Sequence, residues 1–116
     1  HLSIRRQRQM CIRDRLKIGD RPTAIVYDNE VLTLGGLAAV AEHRLQVPTD
    51  ISVVSFEDSP ACRVMSPGIT ALRRDPSVLG RDAITMLMGI LGGDDVEDVT
   101  EQPPELIVRG STGQAQ

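Results

Sequence analysis

Between residues 22 and 108, short β-branched runs alternate with longer stretches of helical spacing, the pattern of β-α-β units feeding a parallel sheet. Thr23 to Tyr27 predicts a buried strand. Asp28 and Asn29 then offer capping side chains, and Val31, Leu34, Ala38, Ala41 and Leu45 recur at three- and four-residue steps, the stripe of an amphipathic helix. Val47 to Asp50 closes that helix and turns the chain. Ile51 to Phe56 is the next strand, too continuous in apolar content for one wet face, so burial on both faces is expected. A loop of acidic residues, Pro and Gly runs from Glu57 to Gly68, longer than a simple strand-to-helix turn and so a place where a site is expected. Ile69 to Leu72 predicts a third strand. Asp75 can cap, and Pro76 can open, a helix whose apolar face is Leu79, Ala83, Ile84, Leu87, Met88 and Leu91, with Gly92 to Asp95 as its stop. An acidic linker and the pair Pro103 and Pro104 lead to a last strand, Leu106 to Val108, and a polar Gly-Ser-Thr-Gly ending expected to fray.

Composition narrows the function classes. The 116 residues, 41% hydrophobic and 25% charged, allow one domain with one core. Tyr27 and Phe56 are the only aromatic residues, so the core is aliphatic and the chain alone builds no stacking platform for bases or sugars. A formal charge of -3 argues against the broad basic face of a nucleic-acid binder. The charge is uneven, however. Residues 1–15 hold five arginines against Asp14 alone, whereas residues 16–116 hold eight basic and fifteen acidic side chains, a net of -7. The basic opening lacks the apolar run of a signal peptide, and no stretch has the length of a membrane span, so a cytoplasmic protein with no membrane partner is expected. Cys11 and Cys62 stand apart from each other and from any His pair, which argues against a disulfide framework or a zinc site; no metal and no cofactor is expected. His1 is uninformative, and His43 reads as a solvated histidine late in a helix.

In open parallel sheets ligands bind beyond the carboxyl ends of the strands. Three polar clusters stand there: Asp28, Asn29 and Glu30; Glu57 and Asp58; and Arg73, Arg74 and Asp75. Carboxylates and an amide can pair with the hydroxyls of a sugar or the edge of a purine, and an arginine can hold a carboxylate or phosphate. The same residues also read as plain helix caps (Asp28, Asn29, Asp75) and solvated loop charges (Glu57, Asp58). An enzymatic reading, with two carboxylates as acid and base or gathering Mg²⁺ as in a phospho-receiver domain, lacks its lysine, since Lys17 precedes the first strand. No G-x-S-x-G, P-loop or G-x-G-x-x-G segment is present.

Six segments together carry a family resemblance. They are Arg21-Pro-Thr-Ala-Ile-Val; Asn29-Glu30 with Leu34-Gly35; Val47-Pro48-Thr49-Asp50-Ile51 through Phe56-Glu57-Asp58; Pro67-Gly68-Ile69-Thr70-Ala71-Leu72-Arg73; Leu79-Gly80-Arg81-Asp82-Ala83; and Glu105-Leu106-Ile107-Val108-Arg109-Gly110-Ser111-Thr112. In order and spacing they resemble the C-terminal part of LacI/GalR-type transcriptional regulators. The resemblance implies an α/β fold with a parallel sheet of β-α-β units, an incomplete periplasmic-binding-protein-like (type I) fold. Residues 16–116 would be the C-terminal part of an effector-binding domain, truncated, with headpiece and most of the N-terminal lobe absent; residues 1–15 match nothing in the family and read as a basic segment of foreign origin or as a genuine basic arm.

The implied function is ligand sensing rather than enzymatic, with a small effector (sugar or purine-like) modulating operator binding. Operator DNA would be reached only through a headpiece absent from this chain. A stand-alone sugar-binding or transport component of similar fold is the rival. By resemblance, Asn29 hydrogen-bonds effector hydroxyls, Glu57 matches the effector-binding aspartate after the second strand, and Arg74 lines the cleft at a crossover. Glu30 and Glu57 both stand where aspartate is usual, and the longer side chains put an inherited specificity in doubt. Leu37, Val40, Ala61, Val64 and Met65 would form the contact of a homodimer in the intact protein, although Leu37 and Val40 read equally well as core. The helix from Pro76 and the strand from Leu106 would return to the other lobe, leaving Ile84, Leu87, Met88 and Ile107 short of partners and the isolated chain prone to aggregation.

Overall fold

The structure, a computed structural model, describes residues 21–97, 100 and 102–114, with Asp14 and Leu16. The rest of the basic opening, His1 and Cys11 included, lies outside the described residues. The chain forms two compact units, residues 1–73 with 106–116 and residues 74–105. Its elements are β1 (Ala24–Tyr27), α1 (Glu30–Glu42), β2 (Ser52–Ser55), α2 (Pro60–Val64), β3 (Thr70–Arg73), α3 (Pro76–Gly92) and β4 (Glu105–Ile107).

The strands make one open sheet in the order β1-β2-β3-β4. β1, β2 and β3 run parallel, with Tyr27 opposite Ser55 and Ser55 opposite Ala71, so their carboxyl ends finish along one edge. Burial alternates along β2: Ile51, Val53 and Ser55 are buried, while Ser52 and Val54 are half-buried and Phe56 is exposed. The expectation of burial on both faces is therefore corrected. Successive side chains of a strand point to opposite faces, and Val26, paired with Val54 on the second face, stays more than half exposed.

α1 turns a different side to the sheet from the one its spacing suggested. Thr33, Gly36, Ala39 and Val40 are buried, whereas Val31, Leu34, Ala38 and Ala41 are exposed. Both sides of this helix are apolar enough to serve, and periodicity alone does not choose between them. Close approach does. The Tyr27 ring lies where a Cβ on Gly36 would sit, so only a side with small residues can settle so near the strand. The helix also ends sooner than expected: past Arg44, in the left-handed region at φ 56°, the Leu45 N–H reaches back to the Val40 carbonyl at 3.1 Å.

Two apolar clusters lie in this unit. Tyr27, Val53, Cys62, Ile69 and Ala71 form one, and Leu16, Ala39, Val40 and Ile51 the other. Cys62 enters the core from α2, a short helix inside the segment expected to be loop, opened by Pro60 after Ser59 at its N-cap. The Gly-Ser-Thr-Gly segment, residues 110–113, does not fray. Ser111 is buried: its Oγ accepts from the Thr70 N–H at 2.8 Å and donates to the Val53 carbonyl at 2.6 Å, and its own carbonyl accepts from the Val53 N–H at 2.9 Å. One serine thus completes the hydrogen bonding of β2 and β3, and the strand from Leu106 joins their sheet and their unit rather than the unit of α3.

In the second unit, Asp75 caps α3 by accepting from the Ser77 N–H at 2.9 Å, and Pro76 takes the first position, where no N–H is needed. Gly93 ends the helix in the left-handed conformation, φ 84°, which only glycine adopts without penalty. No residue of α3 is buried, and its expected apolar face stands exposed at Leu79, Ile84, Leu87, Met88 and Leu91.

Candidate functional site

The carboxyl edge of the parallel strands is built on a buried chain of hydroxyls. Ser55, the last residue of β2, donates from Oγ to the Glu57 carbonyl at 2.9 Å and accepts from the Glu57 N–H at 3.2 Å. Thr33 Oγ1 on α1 lies 3.1 Å from Ser55 Oγ and 2.8 Å from the Asn29 carbonyl. The Cys62 thiol, 3.4 Å from the Glu57 carbonyl, holds the same peptide from α2. With its backbone pinned from these sides, Glu57 places Oε2 3.2 Å from the Glu30 N–H. That N–H belongs to the first turn of α1 and has no partner within the helix, and the positive end of the helix dipole favours a carboxylate there.

Asn29 is the N-cap of the same helix, its Oδ1 accepting from the Leu32 N–H at 3.0 Å. This occupies one edge of the amide and leaves the NH₂ as a donor. Asn29, Glu30 and Glu57 are therefore brought together at one helix start, with acceptor and donor groups side by side. The reading of Asn29 as a cap holds at the same time as its candidacy as a contact. Arg74 opens the second unit and is described with it.

Asp58, the next residue, behaves differently. Its side chain is 2% exposed, with Oδ2 at 3.0 Å from Arg73 and 3.3 Å from Arg63, and Oδ1 at 2.7 Å from Arg109. Oδ1 makes no aligned hydrogen bond, so its contact with Arg109 is an ion pair off the hydrogen-bond axis, and at 2.7 Å the charge attraction dominates. Burial pushes the carboxyl pKa up, but the close guanidinium contacts of Arg109 and Arg73 and the charges of Arg109 and Arg63 outweigh it and hold the group below its usual value. Asp58 is thus no solvated loop charge, and Arg109, Ser55 and Thr33 are organising residues that sequence reasoning missed. Arg109 and Ser55 did stand inside the resembling segments, which was the one signal that could have raised them.

Of the candidate subunit contacts, Val40 is 2% exposed and packed in the core, the alternative its sequence position left open. Leu37, Ala61 and Met65 line one shallow groove between α1 and α2 with Leu34. Leu37 and Met65 continue into an apolar cavity of about 220 Å³ beside Leu45 and Pro67. Val64 is 81% exposed. Among the described residues no group of three His, Cys, Asp or Glu side chains could hold a metal ion, and no helix is long and apolar enough to cross a membrane.

The sequence pattern of the periplasmic binding protein-like domain matches residues 2–112, a span that takes in the basic opening. The HTH-type transcriptional repressor PurR of Pasteurella multocida is 37% identical over 91 residues, covering 78% of this chain and 27% of the repressor. A crystal structure of a LacI family transcriptional regulator from Bifidobacterium animalis superposes with a TM-score of 0.87 at 38% identity, over 97% of this chain and 41% of that one. The lac repressor dimer bound to operator and an anti-inducer gives 0.79 at 28% identity, over 90% of this chain and 37% of that one. The chain spans less than a third of the PurR repressor's length. It belongs to the periplasmic binding protein-like domain family, in the form carried by LacI-family transcriptional regulators.

Proposed function

We propose that this chain is the C-terminal part of the effector-sensing domain of a transcriptional regulator, and that it acts by binding a small molecule rather than by catalysis. The observation that carries this reading is the meeting of Glu57 with the Glu30 N–H beside the Asn29 cap, at the carboxyl ends of the parallel strands. The carboxylate of Glu57 and the amide of Asn29 offer an acceptor and a donor to vicinal hydroxyls or to a purine edge. A ligand there shifts the balance between conformations of the intact regulator by no more than its differential affinity for them, and operator binding follows. The headpiece that touches DNA belongs to a part of the protein beyond this chain. Subunit contact in a homodimer is assigned to Leu37, Ala61, Val64 and Met65, and the setting is the cytoplasm.

A thermal-shift screen of the chain against neutral sugars, nucleosides and purine bases tests the reading. A responding compound should lose roughly tenfold or more in affinity on Glu57→Gln, because a charge-assisted hydrogen bond exceeds a neutral one by about one such factor. No response from any of the three classes would withdraw Asn29 and Glu57 as contacts.

A further inference from the structure

The chain leaves the first unit after Arg73 and re-enters it at Leu106. Each connection carries an arginine: Arg73 closes β3 at the departure, and Arg109 follows β4 shortly after the return. Both guanidinium groups end on one carboxylate, that of Asp58, at 3.0 and 2.7 Å. The same turn is tied to β3 through the backbone, where the Asp58 N–H donates to the Leu72 carbonyl at 3.1 Å. Arg109 in turn donates from Nη1 to the Ile69 carbonyl at 2.6 Å. Asp58 is directly bonded to Glu57, whose carboxylate sits on the Glu30 N–H.

We propose that Asp58 is a positioning residue that ties Glu57 to both connections of the second unit, so that moving either connection changes how Glu57 sits on the start of α1. Coupling of this kind is reciprocal: a molecule that draws Glu57 away from Glu30 biases the two connections through the same carboxylate. Arg73 and Arg109 are the two arms of the tie, and Arg63, from α2, steadies it from inside the unit. The functional sense of the device rests on the proposed role of Glu57 as a ligand contact; its geometry does not.

The Glu30 amide reports the position of Glu57 without any ligand. Its hydrogen exchange is measured by NMR in the full chain and in Glu57→Ala, Arg73→Gln, Arg109→Gln and Arg109→Lys. Glu57→Ala should speed exchange of the Glu30 amide about tenfold, the loss of one hydrogen bond to a charged group. Arg73→Gln and Arg109→Gln should move it toward that rate while the Leu45 amide, bonded to the Val40 carbonyl just past the end of α1, keeps its protection, and Arg109→Lys should restore it. A wild-type Glu30 rate in both Gln variants, an equal rise at Glu30 and Leu45, or equal Glu30 rates in the wild type and Glu57→Ala would each overturn the proposal. If Arg109→Gln does not fold, Arg73→Gln decides alone, since that side chain is 45% exposed and its loss leaves two arginines on Asp58. No small molecule enters this experiment, so its failure and that of the ligand screen are separate outcomes.

Discussion

The first unit buries polar side chains alongside apolar ones, whereas α3 in the second buries neither. Thr33, Ser55, Thr70 and Ser111 are all buried in the first unit, each with a hydrogen-bond partner. α3 carries the clearer amphipathic stripe, yet all of that stripe is exposed. α1 is the reverse: its apolar residues are spread around it, and it is well packed on a side of small residues. An amphipathic pattern therefore states what a helix requires of a partner, not whether the described chain supplies one.

The largest test of that contrast compares two truncations. Ile51→Ala, at a side chain 1% exposed, should cost about 3 kcal/mol in urea unfolding, and Leu87→Ala, at 51% exposure, less than about 0.5 kcal/mol. Equal losses would break the contrast by showing that α3 is covered in solution. Next comes Ser111→Ala, which strands the Thr70 N–H and the Val53 carbonyl and should cost about 2 kcal/mol. Thr85→Ala in α3, which removes only an exposed bond to the Arg81 carbonyl, should change stability by less than about 0.5 kcal/mol.

Acid titration sharpens the same difference. Because the folded carboxyl of Asp58 is held below the usual 3.8, its contribution is complete above that value and is lost as pH falls through the lower folded value. Urea midpoints measured from pH 5 downward should fall in the wild type and lose that acid limb in Asp58→Asn. Asp75 is also lowered, by hydrogen bonds from Ser77, but it is fully exposed, so Asp75→Asn should leave the acid limb in place. The smallest effect under ordinary conditions lies at Tyr27. Burial pushes its phenol from 10.0 up to about 12, so the stability it lends is intact below 10.0 and lost between there and about 12. Tyr27 is the one tyrosine in the chain, so its ultraviolet absorbance reports this directly. A midpoint near 10.0 would show that the ring is not packed over Gly36.

Much of the candidate site is legible in the sequence. Asn29, Glu30 and Glu57 follow strands whose β-branched runs are plain, and a parallel sheet puts the ends of such strands on one edge. What escaped was the support beneath them. Ser55 reads as one more polar residue in an apolar run, Asp58 as one more loop charge, and Arg109 as part of a polar ending, because Ser55 acquires its role from Thr33, 22 positions away, and Asp58 and Arg109 acquire theirs from each other across the chain. Val40 reads equally as subunit contact and as core for a related reason: an apolar residue on a helix with two apolar sides has no assigned direction until the helix is docked.

The order of the four strands and the two long helices, the helix starts at Asn29 and Asp75, the glycine stop after α3 and the family are properties of the chain alone, since they depend on neighbours within a turn or on motifs in fixed order. Which side of α1 meets the sheet, which aspartate is solvated and which is clamped, and whether the last residues fray or close the sheet were decided only by tertiary packing. The physical reason is range. Caps and periodicity act across three or four residues, whereas the fit of Gly36 to Tyr27 and the convergence of Arg63, Arg73 and Arg109 on Asp58 exist only once distant segments share a core.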